Sequence, residues 1–260
     1  MSEKEFDLAV KMEAVSRKFG TVEAVKELNL RIDVGTVFGL LGPNGSGKST
    51  TMKMIMGLLQ SDSGTLNVCG IDVLHNPWEV KKIVGYVSES PRLYEFLTGL
   101  EYLDFIADVY GIDPITKRTR IVEYLGAFDL ENRENEMISG YSHGMKQKIA
   151  IIAALLHKPK LLILDEPLSG LDPKSARIVK DLIHKLANDG VTTIMSTHVL
   201  EIADAVCDRI AIMYQGRKLA EGKPADLRRE AKMPDSTLEE IFLKLTGTSG
   251  IKEIVEALGK

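Results

Sequence analysis

Gly42-Pro43-Asn44-Gly45-Ser46-Gly47-Lys48-Ser49 decides the reading of this chain. It fills the spacing G-x-x-x-x-G-K-[ST] of a phosphate-binding loop. Small residues let successive backbone N–H groups turn inward on an anion with no Cβ in the way. The helix that follows adds the positive end of its dipole. Lys48 supplies a point charge for the β- and γ-phosphates, and the Ser49 hydroxyl is a ligand for Mg²⁺. The flanks agree. Residues 36–41 read as a buried strand running into the loop. Residues 48–59 read as the helix leaving it, with Met52, Ile55, Met56 and Leu59 on one face. A nucleoside triphosphate is the expected ligand.

The second signal is Leu161-Leu-Ile-Leu-Asp165-Glu166-Pro167. An apolar strand ending in two carboxylates puts negative charge at the carboxyl edge of a sheet, beside the phosphate loop. Asp165 is placed to hold Mg²⁺, directly or through water. Glu166 is placed to take a proton from water attacking the γ-phosphate.

Around these two signals the chain alternates strand and helix. Residues 10–15 and 28–34 show period-two alternation, as edge or antiparallel strands do. Residues 36–41 and 161–164 are short continuous apolar runs, the pattern of strands covered on both faces of a parallel sheet. Residues 191–196 are similar but mixed with threonine. Between them a helix starts at Asp172-Pro173, a capping residue and a proline at the first helical position. Its face carries Ile178, Val179, Leu182, Ile183 and Leu186. Residues 90–158 read as a helical insertion, with a capping box at Thr98-Gly-Leu-Glu101 and further helices over 117–126 and 143–156. Residues 210–213 and 218–221 form a hairpin around Gln215-Gly216. Ser236-Thr-Leu-Glu239 caps a helix through Leu245, and Gly247 to Gly250 is a break before a last charged helix.

The 260 residues are 44% hydrophobic and 27% charged, ordinary for a globular chain, and the net charge of −4 gives no case for nucleic-acid binding. Cys69 and Cys207 lack metal or redox spacing and read as free thiols in a reducing compartment. Residues 1–7 do not read as a signal peptide. The longest apolar run, residues 149–156, is far short of the ~20 residues that span a bilayer. Work at a membrane is expected to pass through a partner.

These motifs, in this order, resemble the nucleotide-binding subunit of an ATP-binding cassette (ABC) transporter over residues 8–225. The phosphate loop extends through Thr50 and Thr51; Leu161 to Glu166 is the carboxylate strand. Ser169-Gly170-Leu171-Asp172 resembles the family's dimer-contact loop, and Ser196-Thr197-His198 its switch histidine, which contacts the γ-phosphate and holds the attacking water. Phe19 sits where the family stacks an aromatic ring on adenine, with Val25 a weaker second contact. The resemblance implies a P-loop NTPase (RecA-like) α/β core with an N-terminal antiparallel β subdomain and an inserted α-helical subdomain. The expected division is 1–89 and 159–225 for the core with its β subdomain, 90–158 for the helical subdomain, and 226–260 for a C-terminal helical extension. ATP and Mg²⁺ are the implied ligands, with Lys48, Glu166 and His198 in the chemistry and Ser49, Glu89 and Asp165 on the metal.

Two positions depart from the family pattern. Tyr141-Ser142-His143-Gly144-Met145 stands where the signature is usually Leu-Ser-Gly-Gly-Gln. Ser142 and Gly144 remain, and by resemblance that helix tip binds the ATP held by a second subunit, identical or related. A β-carbon at 143 requires backbone angles open to non-glycine residues. Glu89 replaces a glutamine. Both departures, and the stretch from Leu93 to Phe105, resemble the branch that serves exporter-type (ABC-2) membrane subunits, whose short helix that surface receives. The expectation is an ATPase on the cytoplasmic face of a membrane, held there by an integral membrane permease. The rival readings are an ATPase serving an assembly such as an iron–sulfur scaffold, and an importer subunit.

Overall fold

The computed structural model describes residues 8–233 and 236–246. The chain opens with two long strands, β1 (Leu8–Phe19) and β2 (Val22–Asp33), paired antiparallel. Their buried residues, among them Val10, Met12, Leu28, Leu30 and Ile32, alternate with polar ones, so one face turns inward. The all-buried β3 (Val37–Leu41) follows and runs through the phosphate loop into α1 (Lys48–Ile55). This helix is shorter than the apolar spacing suggests. It stops before Gly57, which adopts φ +65°, and Leu59 lies beyond its end.

The next elements, β4 (Ser63–Val68), β5 (Ile71–Asp72) and α2 (Pro77–Ile83), have no counterpart in the expectations above. β4 pairs with β1 and completes a four-stranded antiparallel sheet in the order β2-β1-β4-β5. The short β6 (Val84–Val87) then enters the second sheet.

The helical insertion holds α3 (Gly99–Val109), α4 (Pro114–Ala127) and α5 (His143–Leu155). The Thr98–Glu101 capping box forms in both directions. α4 begins three residues before its expected start, because the Asp113 carboxylate caps Thr116 N and Pro114 takes the first turn. The chain returns through β7 (Leu161–Asp165), α6 (Pro173–Asn188), β8 (Thr192–Thr197), α7 (Leu200–Val206), and the hairpin β9 (Arg209–Tyr214) and β10 (Arg217–Gly222). It ends in α8 (Pro224–Glu230) and α9 (Leu238–Thr246). The expected boundary at 226 falls inside α8. The cap of α9 is Thr237 with Glu240, one residue later than the sequence reading. That start puts Leu238 and Ile241 together in the core. The expectations for residues 1–7 and for the last charged helix lie outside the described residues.

The central sheet runs β10-β9-β3-β8-β7-β6, parallel except at β10. Period-two alternation sorts its side chains. Phe38, Leu40, Leu161, Ile163, Ile194 and Met213 face α1 and the antiparallel sheet; Leu41, Leu162, Leu164, Met195 and Ile212 face the helical side. Each fully buried side chain of this size contributes roughly 1.5–3 kcal/mol. The two layers fix the sheet's carboxyl edge from both sides, where the phosphate loop follows β3, the Asp165–Glu166 pair ends β7 and His198 follows β8.

Candidate functional site

The phosphate loop fits tightly under β2. Gly47, with φ +104°, passes so close that a methyl there would lie 2.5 Å from the Ala24 carbonyl oxygen. Lys48 follows as the first residue of α1. Its ammonium donates to the carbonyl oxygens of Gly42 (2.7 Å) and Pro43 (3.1 Å), which holds it across the loop. Burial pushes Lys48 below the usual lysine range, and the carboxylates of Glu166, Asp165 and Glu89 oppose that shift. Three acidic groups from two strand ends thus share one cation. Glu89 itself is exposed, two residues past β6.

An open pocket of about 540 Å³ runs from Phe19 to the loop. It is lined by Phe19, Val22, Lys26, Asn44, Gly45, Gly47, Lys48, Ser49, Thr50 and Gln215, among others. Phe19 is half exposed, and the Arg17 guanidinium lies 5.0 Å from its ring centroid. An aromatic face and a phosphate cradle at opposite ends of one pocket match the two ends of a nucleotide. Val25 is a correction to the sequence reading: it is fully buried in the core, and Val22 faces the pocket instead. Gly42, Pro43, Ser46 and Thr51 shape the loop from behind rather than lining the pocket. The buried Thr51 hydroxyl donates to the Gly47 carbonyl at 2.9 Å, and the buried Ser46 hydroxyl has no hydrogen-bond partner.

The carboxylates stand beside this loop. Asp165, the last residue of β7, accepts from the Ser49 hydroxyl at 3.2 Å and from the Ser196 hydroxyl on β8. Glu166 adopts a left-handed φ of +50°, which costs a non-glycine residue about 1–2 kcal/mol. The turn aims its carboxylate at His198. Oε1 accepts from the His198 backbone N–H at 2.8 Å and lies 2.8 Å from Nδ1. The Glu166 side chain is 12% exposed and that of His198 64%, so an enclosed carboxylate is held by an open imidazole. Loop, histidine and carboxylates come from β3, β8 and β7, three neighbouring strands.

Ser142 and Gly144 are not among the residues lining the nucleotide pocket. Ser142 caps α5 by accepting from Met145 N at 3.3 Å, and the exposed helix tip points its donors outward. His143 has a negative φ, so its β-carbon carries no backbone strain. The sequence reading missed Val22, Lys26 and Gln215 as pocket residues, and it named Ser196 only as the start of the switch motif, not as a partner of Asp165. Gln215 was legible only as a hairpin turn, and nothing local marks Val22 or Lys26.

Fold and site together define a P-loop nucleoside triphosphatase. The ABC transporter family profile matches residues 25–169. The linearmycin resistance ATP-binding protein LnrL of Bacillus subtilis is 39% identical over 215 residues, 83% of this chain and 69% of LnrL. The daunorubicin/doxorubicin resistance ATP-binding protein DrrA of Streptomyces peucetius is 36% identical, covering 85% and 67%. The probable multidrug ABC transporter ATP-binding protein YbhF of Escherichia coli is 35% identical over 92% of this chain, which spans only 42% of YbhF. A solved ATP-binding subunit of an ABC transporter superposes with a TM-score of 0.87 at 32% identity, covering 92% of this chain and 99% of that one. The cassette MJ0796, solved as a dimer in a post-hydrolysis state with ADP and Pi, superposes with a TM-score of 0.76 at 28% identity, covering 82% and 98%. The chain belongs to the ABC transporter family, as an ATPase cassette.

Proposed function

We propose that two copies of this chain, or one copy and a relative, close on two ATP molecules and hydrolyse them to drive an export permease. The observation that carries the catalytic part is the Glu166–His198 contact beside the phosphate loop. The Glu166 Oε1 is held by the backbone N–H and the ring Nδ1 of one residue, which leaves Oε2 for the proton of an attacking water. His198 is open to the site and orients that water and the γ-phosphate. Lys48 carries positive charge to the phosphates, and Phe19 stacks on the base.

A magnesium ion fits this corner by the chemistry of its donors, which are hydroxyl and carboxylate oxygens. Ser49, Asp165 and Glu89 would hold it, and it would neutralise phosphate charge.

The second half of the site is the α5 tip of the partner, with Ser142 and Gly144 offered to the γ-phosphate. The dimeric state of MJ0796 supports pairing of two cassettes, and the resistance functions named for LnrL and DrrA support export. No helix among the described residues is long and apolar enough to cross a membrane. In this reading an integral membrane permease supplies the passage and holds the chain at the cytoplasmic face. Exposed Tyr94, Phe96 and Phe105, at and before α3, offer that permease an aromatic surface. The test is size-exclusion chromatography of Glu166→Gln with and without Mg-ATP. Dimer formation only with nucleotide is expected; a monomer at millimolar Mg-ATP overturns the reading.

A further inference from the structure

The tip of α5 and the loop at residues 169–172 of the same protomer touch at successive points. A methyl on Gly144 would lie 2.9 Å from the Gly170 carbonyl oxygen and 4.0 Å from Leu171 Cδ2. Gly170 adopts φ +72°, and a methyl there would overlap Cδ2 of His143 and sit 3.1 Å from its Nε2. One turn along, Lys148 lies 3.6 Å from the Asp172 carboxylate. Asp172 in turn accepts from Ser175 N at 2.9 Å and Ser175 Oγ at 2.5 Å, which anchors the far end of the loop on α6. The loop is therefore held between two helix ends, and the His143 ring occupies the space that the missing Cβ of Gly170 leaves.

We infer that His143 is a positioning residue: its ring, seated on Gly170, fixes the 169–172 loop against the α5 tip. Helix tip and loop then move as one body when the partner's nucleotide engages the tip. This rests on the dimer reading above. It also accounts for a side chain at a position where the family signature has glycine, since His143 and Gly170 form a matched pair of large and absent side chains. The ring edge meets the loop where Gly170 has no side chain, so the ring acts there by filling space. His143 is exposed and its ring can swing into water, so unseating it loosens the loop without unfolding the chain.

The test is a double-mutant cycle on the 260-residue chain, with Mg-ATP as the probe, reading kcat and KM separately. His143→Ala is expected to lower kcat about fivefold, equivalent to about 1 kcal/mol, with KM changed less than twofold. Gly170→Ala also pays the strain of its positive φ and falls further. In the Gly170→Ala background, His143→Ala should cost nothing more, because the ring is already displaced. His143→Phe, which keeps a flat edge and loses both nitrogens, should restore most of the rate. Multiplicative losses, or a phenylalanine variant no better than alanine, overturn the inference. Each variant is also placed on Glu166→Gln and sized with Mg-ATP. If the Glu166→Gln parent itself fails to dimerise, the dimer reading has failed; if it dimerises and the cycle is multiplicative, only the role of His143 has.

Discussion

Replacing Glu166 by glutamine or by alanine separates two things this carboxylate does. Its Oε1 receives both the backbone N–H and the ring of His198, each at 2.8 Å. Glutamine keeps an oxygen there and still accepts from the backbone N–H, so His198 should hold its place. What glutamine loses is basicity. General-base catalysis is worth ~10²–10⁴ in rate, or about 3–5 kcal/mol, and kcat should fall by that factor with KM for ATP within threefold. Alanine loses the base and both contacts. The backbone N–H of His198 then lacks its acceptor, and each lost hydrogen bond to a charged group adds roughly 1.5–3 kcal/mol to the damage in a mostly enclosed pocket. Alanine should therefore match glutamine in kcat and exceed it in stability loss, read as a lower urea midpoint. A coupled phosphate-release assay measures the first and far-ultraviolet circular dichroism in urea the second. Glutamine turnover at the unmodified rate refutes the base. Equal urea midpoints for the two variants refute the structural role given to the His198 contacts.

Gly47→Ala should weaken the fold by ~2–4 kcal/mol and abolish ATP binding, because the methyl must open a 2.5 Å approach to the Ala24 carbonyl at a positive φ; urea unfolding and nucleotide titration check it, and a stable variant that binds ATP contradicts the loop geometry. His157 stacks on Tyr110 at 3.9 Å, and burial lowers its pKa to about 4. The unfolded chain therefore takes up this proton first, near the usual pH 6.5, and stability should fall as pH drops from 6.5 towards 4. His157→Phe keeps the stack and removes that share of the slope, so an equal change in urea midpoint between pH 7 and pH 5 in both proteins would refute it.

The phosphate loop, the carboxylate strand and the Asp172-Pro173 helix start were legible because each is a local pattern with a local cause. The antiparallel extension β4–β5 was not. Ser63–Val68 buries chiefly Leu66 and Val68, and its pairing with β1 is a long-range event that no short window reports. Val22 and Val25 stand three residues apart on β2, so the pleat turns them to opposite faces, and only the packed sheet shows which of the two faces is the core. The end of α1 was misplaced because Met56 and Leu59 continue the apolar period past a backbone that has already turned at Gly57. Ser236–Glu239 and Thr237–Glu240 offer the same capping pattern one residue apart, and burial of Leu238 and Ile241 selects between them. The candidate site shows the same division. Asp165, Glu166 and His198 stand out by motif. The Ser196 hydroxyl and the left-handed turn at Glu166 follow only from β7 and β8 lying side by side.

β6 and β7 are parallel neighbours, paired from Val84↔Leu161 to Val87↔Leu164. A chain leaving the top of one such strand must be carried back to the bottom before it can begin the next, and no hairpin can do this. The helical segment between them is thus an enlarged version of a return path the architecture cannot omit, and α5 is its descending limb. Leu103 and Ala107 of α3 and Ile121 and Leu125 of α4 share one buried core with α5, so the return path is packed as a unit. The limb that delivers the chain to the carboxylate strand also bears the Ser142 tip, so the direction of the chain and the placing of that tip are soldered to a single rod.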